Sequence, residues 1–540
     1  NREALEIALE ISLLCKMNIV GEVHIMRKQY LDGSIPTGFQ RSAILGVEGE
    51  IRLRNKKIRL IQLSIEEDSC REVSDIRHER IYQTDRLGIP LIETVTYPDF
   101  INPDEVREGA EYIRFLNRST GKVFVGIGSG REDVNVSCCG GSRVEIKAVA
   151  HNKWIPELTH IEVFRQWALL KIRDRLKKKN KNSSKWKIGS KIIASGDMTF
   201  TYEPLQLAQE QGDTVVAVNL PGFEGLLSHF TQPGKMFADE LSDRLKVIAC
   251  IEKPNMVYSE QIEKALSKSK FDLVRQLLQV CEDDAQIIIW GPEEDIPTAL
   301  ETIEERCQMA FEGVPRESRK SLPDGTTLFE RVLPGPNRMY PDTDSIPIAL
   351  ADDHVDRVRL GLPLDVYVMY EQLHTWRVPR DTVFYIMRNN LFSLIERCSR
   401  DLKLEAKFVA TLLGHTLKHI EGSHSRLPEF RFERIFMLLK FLKEKKLELT
   451  LAKVMLPEVY RHPQMDCDSI LATLNFKKIA ESDILAKVTP LVKIANDMGV
   501  GPEAEARVRW IMGELRNASL GNISLTKLAE HVRVSVQAQN

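Results

Sequence analysis

Apolar residues recur along this chain with two periods, and the change from one to the other divides it. Directly after Asn1, the residues Ala4, Leu5, Ala8, Leu9, Ile11 and Leu14 keep helical spacing, which predicts an amphipathic helix that the Asn1 side chain can cap. From there to about residue 165, short alternating runs between turn residues predict strands, interrupted by a second helix over 103–116 that Asn102-Pro103-Asp104-Glu105 starts. Residues 1–212 thus read as one α+β unit. Between 213 and 330 the strand-like Thr214-Val-Val-Ala-Val218 and Ile287-Ile-Ile-Trp290 stand among helical patterns over 262–280 and 296–311, which predicts a compact α/β insertion. The proline- and glycine-rich stretch 334–344 forbids regular structure, and 331–355 returns the chain to the first unit. Beyond 355 strand signals vanish: 364–372, 381–402 and 406–420 keep the 3.6-residue period of a helical domain over 356–480. Helices over 482–498, 502–518 and 524–531 form a tail domain over 481–540. The fold class expected is α+β multidomain with an all-α C-terminal half.

The polar positions carry more chemistry than a plain surface needs. Arg131-Glu-Asp-Val-Asn-Val-Ser-Cys-Cys-Gly-Gly-Ser-Arg-Val-Glu-Ile-Lys147 reads as a β-hairpin turning at Gly140-Gly141. Alternation places Val134, Val136, Cys138, Val144 and Ile146 on one face and Asp133, Asn135, Arg143, Glu145 and Lys147 on the other. Carboxylates, an amide and cations on one face suit a magnesium–phosphate site. A solvated sheet face laced with cross-strand ion pairs has the same pattern.

Over 58–68, Ile61, Leu63 and Ile65 alternate with Gln62, Ser64 and Glu66, and the run closes on Glu66-Glu67-Asp68. Like charges so placed repel unless a cation neutralises them, and magnesium takes hard oxygen ligands. A strand end fraying into water is the alternative. In Asp85-Arg86-Leu-Gly-Ile-Pro90-Leu-Ile-Glu93-Thr-Val95, Glu93 shares strand parity with Leu91 and Val95, so it lies on an apolar face where an unpaired carboxylate is costly. Arg86 or Lys147 as an ion-pair partner, or a metal, would account for it. The loop from Arg27-Lys28 to Gln40 offers cations and small polar groups for a phosphate, or is an ordinary turn. No G-x-x-x-x-G-K-[ST] loop is present, and Gly126-Ile-Gly128-Ser-Gly130 reads as a turn before a strand. His24 reads as a packed strand residue, and His415 and His419 share a helical face without a carboxylate nearby, which predicts no zinc there.

Composition sets outer limits. A chain of 540 residues, 43% hydrophobic, can bury several cores. With 75 basic against 77 acidic residues the net charge is -2, so any contact with nucleic acid comes from local patches. No apolar run approaches the ~20 residues that cross a bilayer, and we expect a cytoplasmic protein with no membrane partner. The nine cysteines lack any C-x-x-C pair and suggest neither a disulfide framework nor structural zinc. Lys177-Lys178-Lys179, Lys181, Lys185 and Lys187 read as an exposed helix end and linker. With Trp186 as its single aromatic, that run lacks the stacking platform of a single-strand binder.

Taken together, these motifs resemble one family. Arg27-Lys28 through Gln40, Leu63-Ser-Ile-Glu-Glu-Asp68, Asp85 to Glu93 with Pro98-Asp99, Arg131 to Ser137 and Arg143-Val-Glu-Ile-Lys147 are similar in order and spacing to the kinase subunit of tRNA-dependent amidotransferases, the GatB/GatE family. The insertion over 213–330 resembles the domain shared with bacterial-type aspartyl-tRNA synthetases, which marks the archaeal, E-type subunit and which the bacterial and organellar, B-type subunit lacks. Met339-Tyr-Pro-Asp-Thr-Asp344 resembles the family segment leading into the helical part, and 481–540 resembles its tRNA-binding tail domain. The resemblance covers nearly the whole chain. It implies a glutamine-synthetase-like antiparallel cradle over 1–212 and 331–355. It also implies ATP-dependent γ-phosphorylation of glutamate held on tRNA(Gln), followed by amidation with ammonia from a separate ammonia-producing amidase, the D-type subunit.

ATP and Mg2+ are then the implied cofactors. On this reading Glu66, Glu67, Glu93 and Glu145 are candidate magnesium ligands or polar groups of an ammonia path, with Asp133 and Asn135 beside them. Lys28, Arg131 and Lys147 are the candidate phosphate clamps. Where the B-type subunit carries Pro-Lys-Gly-Tyr, this chain has Pro36-Thr37-Gly38-Phe39, so one cation is absent. The family's first segment, with a metal-binding strand, is expected to precede Asn1. A non-catalytic tRNA-binding protein and a carboxylate–amine ligase acting on a free small molecule are the competing readings.

Overall fold

The structure, a computed structural model, describes residues 1–126, 128–179, 185–194, 196, 198–261, 265–333, 335–425, 427–501 and 503–538. Lys181, Pro334, Pro502 and the start of the helix expected over 262–280 lie outside them. Contacts gather residues 1–362 into one compact unit and 363–540 into another. The architecture is mixed α and β, with antiparallel sheets in the first unit and helices throughout the second.

The helix Arg2–Leu14 forms where the spacing predicts, and Asn1 caps it: its Oδ1 accepts the Ala4 amide at 3.1 Å. It packs on an antiparallel sheet ordered Met339–Pro341, Ile25–Gln29, Phe39–Arg52, Lys57–Glu67, Pro90–Thr96. Glycine makes the close approach possible, since a Cβ on Gly49 would stand 2.6 Å from the Cys15 carbonyl oxygen. Strand pairing shifts between Ile44 and Gly46 and again between Leu60 and Gln62. These irregularities break the alternation expected of 58–68: Ile58, Leu60 and Leu63 are buried, whereas Ile61 is exposed.

A second sheet is ordered Thr327–Val332, Glu317–Ser321, Val144–Val149, Glu132–Val136, with the middle pair parallel. The expected hairpin is there: Val136 pairs with Val144, Asn135 with Glu145 and Val134 with Ile146. Its apolar face, Val134, Val136, Ile146 and Val149, packs on Ile155 and Leu158 of the long helix Ile155–Lys178. Cys138 lies past the strand end and is only partly buried.

The third sheet is ordered Gly189–Ile192, Thr214–Leu220, Ala285–Gly291, Met256–Tyr258. Helices Phe237–Ile248 and Ile296–Glu312 cover one face, Glu203–Glu210 and Lys268–Leu278 the other. Where this layer meets the helix Ile155–Lys178 and the strand Glu317–Ser321, Arg165, Arg244, Arg306 and Arg319 are buried with Glu162, Glu240 and Glu317. Arg165 donates to both oxygens of Glu240, at 2.7 and 2.8 Å, and also to Glu162 and Glu317; Arg244 and Arg319 close on Glu317. Burial disfavours the Arg165 charge, yet Glu240, Glu162 and Glu317 together hold its pKa well above the ordinary value.

In the second unit the helix expected over 381–402 divides into Arg380–Arg388 and Phe392–Leu402, because Asn390 takes a left-handed conformation with φ 51°. The stretch 406–420 widens to a π-helical turn over Leu412–Leu417, where Gly414 lies against Thr382. The last helices close on a core of their own that includes Ile484, Val492, Ile511, Leu528 and Val532. No described helix is long and apolar enough to cross a membrane.

Removing one charge from the buried cluster leaves its partners unpaired in a dry interior. Glu317→Gln is therefore expected to lower the stability of the first unit by about 3–5 kcal/mol. The midpoint of urea unfolding, followed by tryptophan fluorescence, checks this, and an unchanged midpoint would refute it.

Candidate active site

Strand register decides which side chains of the first sheet share a face. Lys28 stands opposite Gln40, Ser42 opposite Glu66, and Ser64 opposite Glu93, so these polar residues line the face away from the helix Arg2–Leu14. Lys28 Nζ lies 3.5 Å from Glu66 Oε1, which also accepts from Ser42 Oγ at 3.2 Å. Burial opposes the Lys28 charge, but Glu66, Tyr30 and Glu93 outweigh it and raise the pKa above the ordinary value.

The second sheet supplies the other side. Lys147 Nζ stands 3.3 Å from Asp133 Oδ2, and Asp133 Oδ1 accepts the Ala148 amide at 2.8 Å where the hairpin register shifts. Burial works against the Lys147 charge, and Asp133 followed by Glu145 raises its pKa nonetheless. The two polar faces converge on Glu93. Burial, reinforced by negative charge on Glu66 and Asp133, pushes the Glu93 pKa up to about 7, although Lys28 and Lys147 act in the other direction. Among the described residues no cation pairs directly with Glu93, and Ser64 Oγ is buried there without a hydrogen-bond partner.

The structure thus brings together Lys28, Glu66, Glu93, Asp133 and Lys147. Glu145 pairs in register with Asn135 on the same face as Lys147, and Asn135 is exposed. Three placements correct the expectation. Neither Arg86 nor Lys147 pairs with Glu93: Arg86 lies 3.5 Å from the buried Asp68, and Lys147 is taken by Asp133. Arg131 also turns to Asp68, at 3.5 Å. Glu67 is set apart from Glu66 because successive strand residues point to opposite faces. It stands 3.5 Å from Arg41, next to Asp342, which holds Arg27 and Arg41 at 2.8 Å each. Two histidines also differ. His24 is exposed beside Glu22, and His415 does have a carboxylate neighbour, Asp381, at 3.2 Å.

Among the described residues no three of His, Cys, Asp and Glu stand close enough to enclose a metal alone. Magnesium needs no such cage, since it is held by one or two carboxylates and fills its other positions with water and phosphate oxygens. A desolvated carboxyl crowded by other acids, with Lys28 and Lys147 alongside, fits that ion together with a polyphosphate. Sequence reasoning missed Arg331 and left Arg338 without a role. The guanidinium carbons of both lie over the Tyr30 ring, at 5.1 and 5.2 Å from its centre. Only the turn-rich setting of Arg338 gave any signal.

A family model described as the GatB/GatE catalytic domain matches residues 1–356. The chain is similar to the E-type subunit of the glutamyl-tRNA(Gln) amidotransferase of Sulfolobus acidocaldarius, with 30% identity over 545 residues, 99% of this chain and 85% of the relative. It is likewise similar to the E-type subunit of Methanocaldococcus jannaschii, 32% identical over 91% of this chain and 78% of the relative. That of Pyrococcus abyssi is 38% identical over 67% of this chain and 57% of the relative.

The raised pKa of Glu93 fixes the sign of a pH effect. Below its ordinary value of 4.5 the group is protonated folded or unfolded; between 4.5 and about 7 only the unfolded chain releases the proton, and stability falls as pH rises through that window. Glu93→Gln should change stability little at pH 4.5 and raise it by about 1–3 kcal/mol at pH 8. Urea midpoints at both pH values test this; equal shifts at the two would refute it.

Proposed function

The chain belongs to the GatB/GatE family of tRNA-dependent amidotransferases, and from that membership we propose that it is the kinase and transamidase subunit that converts Glu-tRNA(Gln) to Gln-tRNA(Gln). ATP phosphorylates the γ-carboxylate of the tRNA-held glutamate, and ammonia released by a partner amidase, the D-type subunit, displaces the phosphate. The meeting of two polar sheet faces on Glu93 is the observation that carries this reading. A carboxylate is a poor acyl donor, and its conversion to an acyl phosphate supplies the leaving group. Lys28 and Lys147 neutralise charge on the phosphate being transferred, while Glu93 and Glu66 would hold Mg2+. Magnesium bound there draws negative charge off the phosphate oxygens. Asp133 keeps Lys147 in place, and Asn135, Glu145 and Arg131 border the cleft. Burial of Ser64 and most of Glu93 keeps water from the acyl phosphate before ammonia arrives.

In this reading the first two sheets form a glutamine-synthetase-like cradle over 1–212 and 331–355, the insertion over 213–330 is aspartyl-tRNA-synthetase-like, and the tail domain over 481–540 contacts tRNA. The reaction takes place in the cytoplasm, where charged tRNA is found. A purely RNA-binding protein has no use for a carboxyl held out of water among other acids, which costs stability and contributes nothing to affinity for phosphate.

Combined with the partner amidase, ATP, Mg2+ and Glu-tRNA(Gln), the chain should form Gln-tRNA(Gln). Glu93→Gln and Lys147→Met should each lower that rate about 100-fold, with tRNA affinity unchanged in filter binding. ATP hydrolysis indifferent to Glu-tRNA(Gln) would overturn the reading.

A further inference from the structure

Around Tyr30 two guanidinium groups join the lysines of the site. Tyr30 follows Lys28 by two residues, the guanidinium carbons of Arg331 and Arg338 lie 5.1 and 5.2 Å from its ring centre, and its hydroxyl donates to Gln40 Oε1 at 3.3 Å. Three of the four cations gathered here have acidic partners: Lys28 has Glu66, Lys147 has Asp133, and Arg331 reaches Asp32 Oδ2 at 3.3 Å and Ser34 Oγ at 3.0 Å. Arg338 has no acidic partner among the described residues. Both arginines also keep a buried nitrogen without a hydrogen-bond partner, Nε on Arg331 and Nη1 on Arg338. The groups feel one another, for Arg338 opposes the charge on Lys28 and Arg331 opposes the charge on Lys147.

Guanidinium nitrogens buried without a partner beside one ring are completed by an anion with several oxygens. Guanidinium groups present planar forks that match phosphate oxygens in pairs, and an aromatic ring that stacks on two of them fixes both planes. Two such forks beside one ring suit a chain of phosphates better than a single carboxylate, which one arginine satisfies.

We propose that Arg331 and Arg338, held by Tyr30, form the binding site for the β- and γ-phosphates of a nucleoside triphosphate, with Lys28 and Lys147 at the end where the γ-phosphate leaves. This rests on the kinase reading above and adds to it the residues that grip the donor. It also separates these arginines from Arg131, which is engaged with Asp68. Asp32 and Ser34 hold Arg331 in its orientation and are positioning residues.

Equilibrium binding to the full-length chain tests the proposal, with three unlabelled probes, ATP, inorganic tripolyphosphate and adenosine, competing against a fluorescent ATP analogue. Arg338→Ala should weaken ATP and tripolyphosphate at least ten-fold and leave adenosine unchanged, and Arg338→Lys should recover part of the loss. Tyr30→Ala, whose fold is checked by its thermal melting curve, should weaken the same two probes because both forks lose their platform. Tripolyphosphate affinity unchanged in Arg338→Ala, or no binding of tripolyphosphate to the parent chain, overturns the proposal. Tripolyphosphate binding that depends on Arg338, in a chain that never phosphorylates Glu-tRNA(Gln), leaves the proposal standing and removes the kinase reading instead.

Discussion

The buried cluster of Arg165, Arg244, Arg306 and Arg319 with Glu162, Glu240 and Glu317 is the constraint on which the rest of the first unit depends. Ions withdrawn from water are tolerated only while each is met by another. Their donors come from four elements, so satisfying them fixes how the long helix, two insertion helices and the strand Glu317–Ser321 lie together. That strand runs alongside Val144–Val149, with Ser318 paired to Glu145 and Lys320 to Lys147. The cluster therefore sets, one strand away, where Glu145 and Lys147 present their charges. The long helix acts directly as well: Gln166 accepts the Cys138 amide at 3.0 Å and donates to the Val136 carbonyl at 3.0 Å, holding the hairpin at the start of its turn.

A second consequence concerns how charge is distributed between the two kinds of site. In the ionic cluster, Glu240 and Glu317 are each met by several arginines, which hold their carboxyls below the ordinary value in spite of burial. Around Glu93 and Tyr30 the pairing is incomplete: among the described residues Glu93 has no cation paired with it and Arg338 no acid. An uncompensated pair of this kind would be a defect in a purely structural interior. In a cleft it is an arrangement that a metal and a polyphosphate would complete, because such a ligand brings the opposite charges with it.

Much of the fold was legible because it rests on local periodicity. The capped first helix, the hairpin between Asp133 and Lys147 and its division into apolar and charged faces all follow from alternation and turn residues close together in the chain. What periodicity cannot carry is register. Ile61 turned outward because pairing shifts at Leu60, a fact settled by neighbouring strands rather than by its own run. The split of 381–402 at Asn390 is of the same kind, since a single left-handed residue leaves the apolar spacing on both sides intact. For the site, Glu66, Glu93, Asp133 and Lys147 stood out as polar residues in strand positions where alternation gave them a common face. Arg331 and Arg338 did not, for they reach Tyr30 from far downstream in the chain, Arg331 from the second sheet and Arg338 beside the strand that pairs with Lys28. Glu67 looked equivalent to Glu66 in composition and was separated from it by the pleat alone.

The insertion is joined to this cleft by more than the ionic cluster. The hairpin Arg71–Ile76 and Glu79–Gln83 has its turn against the insertion, where the Arg77 amide donates to Glu252 at 2.7 Å, His78 meets Asp295 at 2.9 Å, and Lys246 donates to the Asp75 carbonyl at 2.9 Å. Its second strand reaches the loop before Phe39: Arg80 donates to the Asp32 carbonyl at 3.4 Å, and the Tyr82 hydroxyl donates to the Gly33 carbonyl. Asp32 is also the acid that holds Arg331. Contacts thus run without a break from the insertion through the hairpin and one loop to the Arg331 guanidinium. The hairpin between them is a two-stranded ladder paired from Arg71–Gln83 to Ile76–Glu79.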